Sequence, residues 1–253
     1  MNKKKELIIK PFNKVYIGLF LFNAVLTIVG YFCVKRITRF DTRKIVIAVS
    51  YINFLLFFFY RLSMKDDKEY IDLIYSDYGK INWYNELPLY PCNVMMMVNP
   101  INLIFGKRYM LAFSFFFSLI APIPAILSPC AGFENYDLKK PRMFGYYGTH
   151  YLCIINSLLL VFSGIYVPRY SDIVPACLIF LGASLIITLF NVYLIKTEKN
   201  PEANYFFTMN PNGNPLLEKI YNKMPVKYLY AVLLIFPFAG LFAFVTYIYN
   251  LIG

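Results

Sequence analysis

Two residues of this chain carry side chains suited to covalent chemistry: Cys92 in "LPLYPCNV" and His150, its one histidine, in "FGYYGTHYLCIINS". A thiol acts as a nucleophile when it ionises, and the first turn of a helix, with free amides and the positive end of the dipole, favours the thiolate. Pro91 suits the first position of a helix, where its missing N–H costs little and its fixed φ matches the helix. The sequence therefore predicts Cys92 at a helix start. An imidazole is the natural base for a thiol, and the two together can serve as nucleophile and base in covalent catalysis. The bland readings stand beside this one. A buried free cysteine is usually a small hydrophobe, and a histidine at the edge of an apolar run also serves as an interface anchor.

The other candidates are weaker. Cys153, one turn below His150, is the rival nucleophile, whereas Cys33, Cys130 and Cys177 are expected at the opposite end or on the outer side of their spans. Asn93 adjoins the thiol, and Asn99 lies seven residues beyond Cys92, hence on the same helical face as the thiol, with Asn102 three later. Asn93, Asn99, Asn204 and Tyr205 are the candidates for substrate binding or for stabilising an oxyanion. A metal needs three or four N, S or O ligands. His150, Cys153 and Cys92 fall short of that without acidic residues in the spans, so neither metal nor cofactor is expected.

These residues sit in a chain built for lipid. Of its 253 residues 59% are hydrophobic and 19% aromatic, and the mean hydropathy is +0.53, outside the range of a soluble domain. Seven apolar runs approach the ~20 residues a helix needs to cross the hydrocarbon: about 15–34, 45–62, 87–105, 109–130, 147–167, 173–195 and 228–252. They are continuous rather than alternating, so the fold class is an all-α polytopic bundle and not a β-barrel. No polar block is large enough for a second core, and residues 1–253 read as one integral membrane domain. The apolar run behind "MNKKKELIIKPFNK" is too long for a signal peptide and lacks a small-residue cleavage site, which leaves it as a retained first span. In the first and sixth spans, Asn23, Thr27 and Gly30, and Ser184, Thr188 and Asn191, are expected to serve interhelical packing.

The formal net charge is +11. Its cations lie in short tracts at span ends, which suits orientation and anionic headgroups rather than nucleic acid. Most lie at the N-terminus and in the second, fourth and sixth loops, so the N-terminus is expected in the cytoplasm. That arrangement puts Cys92, His150 and the sixth loop on one side. The second loop, residues 63–86, is charged and aromatic and is expected on the membrane surface. The sixth is rich in Asn and Pro, with a turn at "NPNGNP".

From Leu87 onward the chain resembles a known family. "LPLYPCNV", "YYGTHYLCIINSLLLVFSGIYVP" and "NYFFTMNPNGNPLLEKI", followed by a final aromatic span, are similar in order and spacing to the bacterial YwaF-like membrane proteins and their animal relative, transmembrane protein 164. The resemblance implies a cysteine-dependent acyltransferase of the bacterial cell membrane that acts on membrane phospholipids, with Cys92 as nucleophile and His150 as base. The family often places a histidine or another polar group beside the cysteine. Here Tyr90 and Asn93 flank it, so a second local base is missing, and hydrolysis to a free acid stays open beside transfer. A different class also fits the spans: a transporter or a membrane subunit that captures a small solute, helped by helix-breaking Pro100, Pro122 and Pro124. Visible inverted repeats and deep charges, the usual marks of that class, are missing.

Overall fold

The structure, a computed structural model, describes residues 6–37, 39–211, 215–224 and 232–252. It is an all-α bundle. In chain order the helices are α1 Lys14–Arg36, α2 Arg39–Ser63, the short α3 Lys68–Ile74, α4 Pro91–Phe105, α5 Arg108–Ile120, α6 Pro122–Leu127, α7 Pro141–Phe162, α8 Ile173–Lys196, α9 Pro215–Lys223 and α10 Ile235–Ile252. Two-residue strands β1 Ile8–Ile9 and β2 Tyr136–Asp137 pair antiparallel and clip the N-terminal segment to the loop before α7. The part of the expected last span that covers 228–231, the turn residues 212–214 and residues 1–5 lie outside the described residues.

Among the described residues, four helical stretches are long and apolar enough to cross a membrane: Lys14–Arg36, Asp41–Asp66, Arg108–Leu127 and Tyr170–Lys196. The first has 23 residues, about 34 Å at ~1.5 Å per residue, against ~30 Å of hydrocarbon. Pro91–Phe105 and Ile235–Leu251 are apolar but shorter. α7 has 22 residues, yet its inward face carries Thr149, His150, Asn156 and Ser157, all buried. Apolar side chains such as Phe20, Phe22, Phe59, Ile186 and Phe236 face outward. In a bundle wrapped by lipid that surface needs no protein cover.

The expected fourth run is divided. Pro122 cannot donate an N–H and separates α5 from α6, but Ala121 keeps helical angles of φ −61° and ψ −32°, so the two act as one span. Pro100 lies inside α4 without ending it.

α7 is the centre, packed against α1, α2, α4, α5 and α6, while α8 joins α5 and α10 joins α8. Its approach to α2 depends on two glycines. A Cβ on Gly145 would overlap Tyr60, and one on Gly148 would come within 3.3 Å of Leu56. Between α4 and α5 the amides of Asn99 and Asn102 donate to Ser118 at 2.8 Å and Ser114 at 2.9 Å, two polar rungs of the kind that join membrane helices. The packing expected of Asn23, Thr27, Ser184 and Thr188 takes another form, because each bonds a carbonyl one turn back in its own helix. Short polar side chains in lipid commonly satisfy themselves this way. Asn191 does reach across, to Tyr205 and Thr208 of the sixth loop.

Candidate active site

Cys92 is the second residue of α4, after Tyr90 in extended geometry and Pro91 at the first helical position. Cys92 and Asn93 carry two of the N–H groups of that first turn that have no partner within the helix. The thiol is buried and makes a long contact of 3.7 Å with Asn93 Oδ1. The local geometry that the Pro91 argument calls for is present.

His150 is buried nine residues beyond Pro141, deeper in its helix than the few positions expected, because α7 begins earlier than the apolar run. Its Nδ1 lies 2.6 Å from the carbonyl oxygen of Tyr146. A carbonyl only accepts, so Nδ1 carries the proton and Nε2 holds the lone pair. Nε2 is buried and has no hydrogen-bond partner. The ring of Tyr146 lies over the imidazole with centroids 4.5 Å apart, and its hydroxyl donates to Ala125 O at 2.9 Å. The backbone thus fixes the tautomer a base requires.

The relative level of thiol and imidazole follows from one contact. α4 and α7 start at the same end of the bundle and pack together, and Asn99 Nδ2 approaches Cys153 Sγ at 4.0 Å. Seven residues back along both helices, Cys92 falls level with Tyr146, so that along the helix axis it is offset from His150 by about one turn, or ~6 Å at ~1.5 Å per residue. A direct hydrogen bond between Cys92 and His150 is not made, since Nε2 is unpartnered.

The remaining candidates separate by location. Cys153 is fully buried among Asn99 and the α5 face, deeper than Cys92. Asn99 serves the same rung. Asn204 spends its side chain on its own loop, donating to Asn210 and accepting from the amides of Met209 and Asn210, which leaves its amide committed elsewhere. Tyr205 braces the segment that leads into α4: its hydroxyl donates to Tyr84 O at 2.6 Å and accepts from Leu87 N at 3.2 Å, and its ring meets Tyr90 at 5.2 Å. Burial raises its phenol above the ordinary value. Cys130, expected at the far end, instead follows α6 at the same end as Cys92 and within electrostatic range of it, because α5 and α6 run back toward the start of α4.

The sequence reading misses a buried ion pair beside the thiol. Arg61, near the end of α2, pairs through Nη1 with Glu86, and Glu86 Oε1 accepts the hydroxyls of Tyr70 at 2.6 Å and Tyr75 at 2.7 Å. The second loop, expected on the membrane surface, folds over this end of the bundle to deliver both tyrosines. A second pair, Arg142 with Asp67 at 2.8 Å, ties the start of α7 to the start of α3.

Residues 11–246 match the family model of the TMEM164 family. The chain belongs to the TMEM164 family. No curated protein and no solved structure matches it. The match extends further toward the N-terminus than the motifs quoted from Leu87 onward and takes in α1 and α2, so Arg61 lies inside the family region with Cys92 and His150. Two cavities, of about 310 Å³ beside Lys35, Thr42 and Tyr249 and about 210 Å³ beside Arg43 and Leu111, lie toward the other end of this TMEM164-family bundle and do not include either residue.

Proposed function

We propose that this TMEM164-family membrane protein is a lipid acyltransferase, with acyl hydrolysis as the same chemistry to water, that works through an acyl thioester on Cys92. The observation that carries the reading is the fixed tautomer of His150: a buried Nε2 lone pair without a partner, on a helix packed against the one that starts at Cys92. The burial of Cys153 deeper in the bundle supports Cys92 as the nucleophile.

In the first half-reaction the Cys92 proton passes to His150 Nε2, across the one-turn gap through a single water or by rotation of the thiol. The sulfur then attacks the carboxyl carbon of a lipid ester. The tetrahedral intermediate places negative charge on the former carbonyl oxygen, and the free amides of the first turn of α4 supply donors there. The carbon–oxygen bond to the glycerol breaks, and the leaving oxygen takes the proton from Nε2. In the second half-reaction a lipid hydroxyl or water gives its proton to Nε2 and its oxygen attacks the thioester. The sulfur leaves and recovers the proton.

The excess of cations at the N-terminus and in the second, fourth and sixth loops supports a cytoplasmic N-terminus, and with it a site in the cytoplasmic half of the membrane. Incubation with a phospholipid carrying a labelled acyl chain tests the reading: a label held on Cys92, released by hydroxylamine, is expected, and a protein that stays unlabelled overturns it.

A second reading, passage or capture of a small solute, draws on the buried and unpartnered oxygens of Ser50 and Asn53 on α2 and of Asn156 on α7, two helices that pack together. Solute uptake by vesicles that hold the Cys92→Ala variant would favour it over acyl transfer.

A further inference from the structure

Arg61 is a buried cation with capacity to spare. Its side chain is 13% exposed, and its guanidinium lies 5.7 Å from the ring centroid of Phe57 and 5.8 Å from that of Tyr60. One edge is taken by Glu86, which is itself held by Tyr70 and Tyr75. The Nε donor is buried and has no protein partner. Leaving such a donor without an acceptor is costly, and a planar guanidinium fork matches the oxygens of a phosphate better than any other side chain does.

The place is suitable as well. Arg61 stands in the last turn of α2, at the end of the bundle where headgroups lie, and both Cys92 and His150 are within its electrostatic range. An acyl ester in a glycerophospholipid is a few bonds from the phosphodiester. A cation that holds the phosphate at this depth leaves the ester within reach of a thiol at the first turn of α4.

We propose that Arg61 is the anion-binding residue of the site and takes the phosphodiester of a glycerophospholipid against its Nε edge, while Glu86, Tyr70 and Tyr75 hold the guanidinium in place. The proposal rests on the acyl-transfer reading for the identity of the lipid. It does not need the thioester to form.

The test therefore uses the full-length Cys92→Ala protein in a neutral detergent, with native mass spectrometry as the readout and phosphatidylethanolamine, diacylglycerol of the same chains and inorganic phosphate as probes. Phosphatidylethanolamine is expected to be retained about tenfold better than diacylglycerol. Adding Arg61→Gln is expected to lower its retention to the diacylglycerol level, and Arg61→Lys, which keeps the charge without the fork, to restore part of it. Displacement of the lipid by inorganic phosphate at millimolar concentration would assign the site to free phosphate and overturn the lipid claim. Arg61→Gln leaves Glu86 without its cation, so the Arg61→Gln, Glu86→Gln pair serves as a second variant that buries no lone charge. Undiminished lipid retention in either, with the melting temperature preserved, overturns the proposal and fits a role as counter-ion of the thiolate instead. A failure of acyl transfer itself would appear only in the protein that retains Cys92, and so stays distinct from this outcome.

Discussion

His150 donates its Nδ1 proton to the carbonyl oxygen of Tyr146 at 2.6 Å, and this one bond leaves Nε2 as the lone-pair nitrogen. The expected consequence is that His150→Ala abolishes thioester formation at neutral pH, with a loss of at least about a hundredfold, the usual range for a general base. His150→Asn places an amide donor near the position of Nδ1 but supplies no base, so it should match the alanine variant in activity and the wild type in melting temperature. Acylation rates and thermal melts of the three proteins check this. Acylation of His150→Asn at the wild-type rate would remove the histidine from the mechanism.

The nucleophile is tested by a pair of substitutions. Labelling with a lipid-like acyl electrophile should be lost in Cys92→Ala and retained in Cys153→Ala, and Cys130→Ala, now known to lie at the same end, is expected to retain it too. Peptide mapping of the labelled protein reads the site. Label lost in Cys153→Ala and kept in Cys92→Ala would move the chemistry one turn below the imidazole.

The fit of α7 against α2 sets a stability prediction. Gly145→Ala drives a methyl into Tyr60, and overpacking of this kind costs about 1–3 kcal/mol. Tyr60 adjoins Arg61, so lipid retention should fall with it. Gly148→Ala, which meets Leu56 at 3.3 Å, is expected to cost less, and Gly182→Ala, with nothing within 4 Å of the added carbon, should gain up to about 1 kcal/mol from helix propensity. Melting temperatures in one detergent give the order.

Tyr70 and Tyr75 give a prediction in pH. Burial first, and then the Glu86 carboxylate, raises both phenols above their ordinary 10.0. A raised folded value means that the folded state binds the proton more tightly. The stabilisation is therefore complete below pH ~10, the unfolded value, and is lost as the pH rises beyond it toward the folded values. The melting temperature of the wild type is expected to fall more steeply above pH 10 than that of Tyr70→Phe, Tyr75→Phe. Parallel curves for the two proteins would show that the tyrosines do not hold Glu86 as described.

What could be read from the sequence was set by range along the chain. The apolar runs located the bundle, and the Pro91–Cys92 step located a helix start, because both are local properties. His150 was recognised as the candidate base but placed too near its helix end: "PRMFGYYGTH" looks polar for a span, yet Arg142 is buried against Asp67 and the tyrosines pack inward, so the helix begins at Pro141. Arg61 lies at the end of an apolar run and Glu86 at the end of a charged loop, and neither stands out from its neighbours in the sequence. Their pairing closes 25 residues of chain through a loop whose fold depends on Tyr70 and Tyr75, and nothing in periodicity reveals it. The bonds of Asn204 to Met209 and Asn210 are hidden from the sequence for a similar reason, since an Asn in a loop rich in Asn and Pro has several nearby backbone partners.

The expected placement of the site in the cytoplasmic half can be checked by accessibility. Lys139 and Ser171 are exposed at opposite ends of the bundle. A cysteine introduced at Lys139 should be labelled from the cytoplasm, and one at Ser171 from outside. The reverse pattern would invert the orientation while leaving the site chemistry intact. Asn212, the third position suited to such mapping, lies outside the described residues.

The central claim is that Cys92 carries an acyl group during turnover. Intact-protein mass spectrometry after incubation with a phospholipid of known acyl chains measures this directly. The account predicts a mass increase of one acyl group on the wild-type protein, removed by hydroxylamine and mapped to Cys92, and its loss in both Cys92→Ala and His150→Ala. An unmodified wild-type protein that nonetheless turns over the lipid, or an acyl group mapped to another residue, would contradict it.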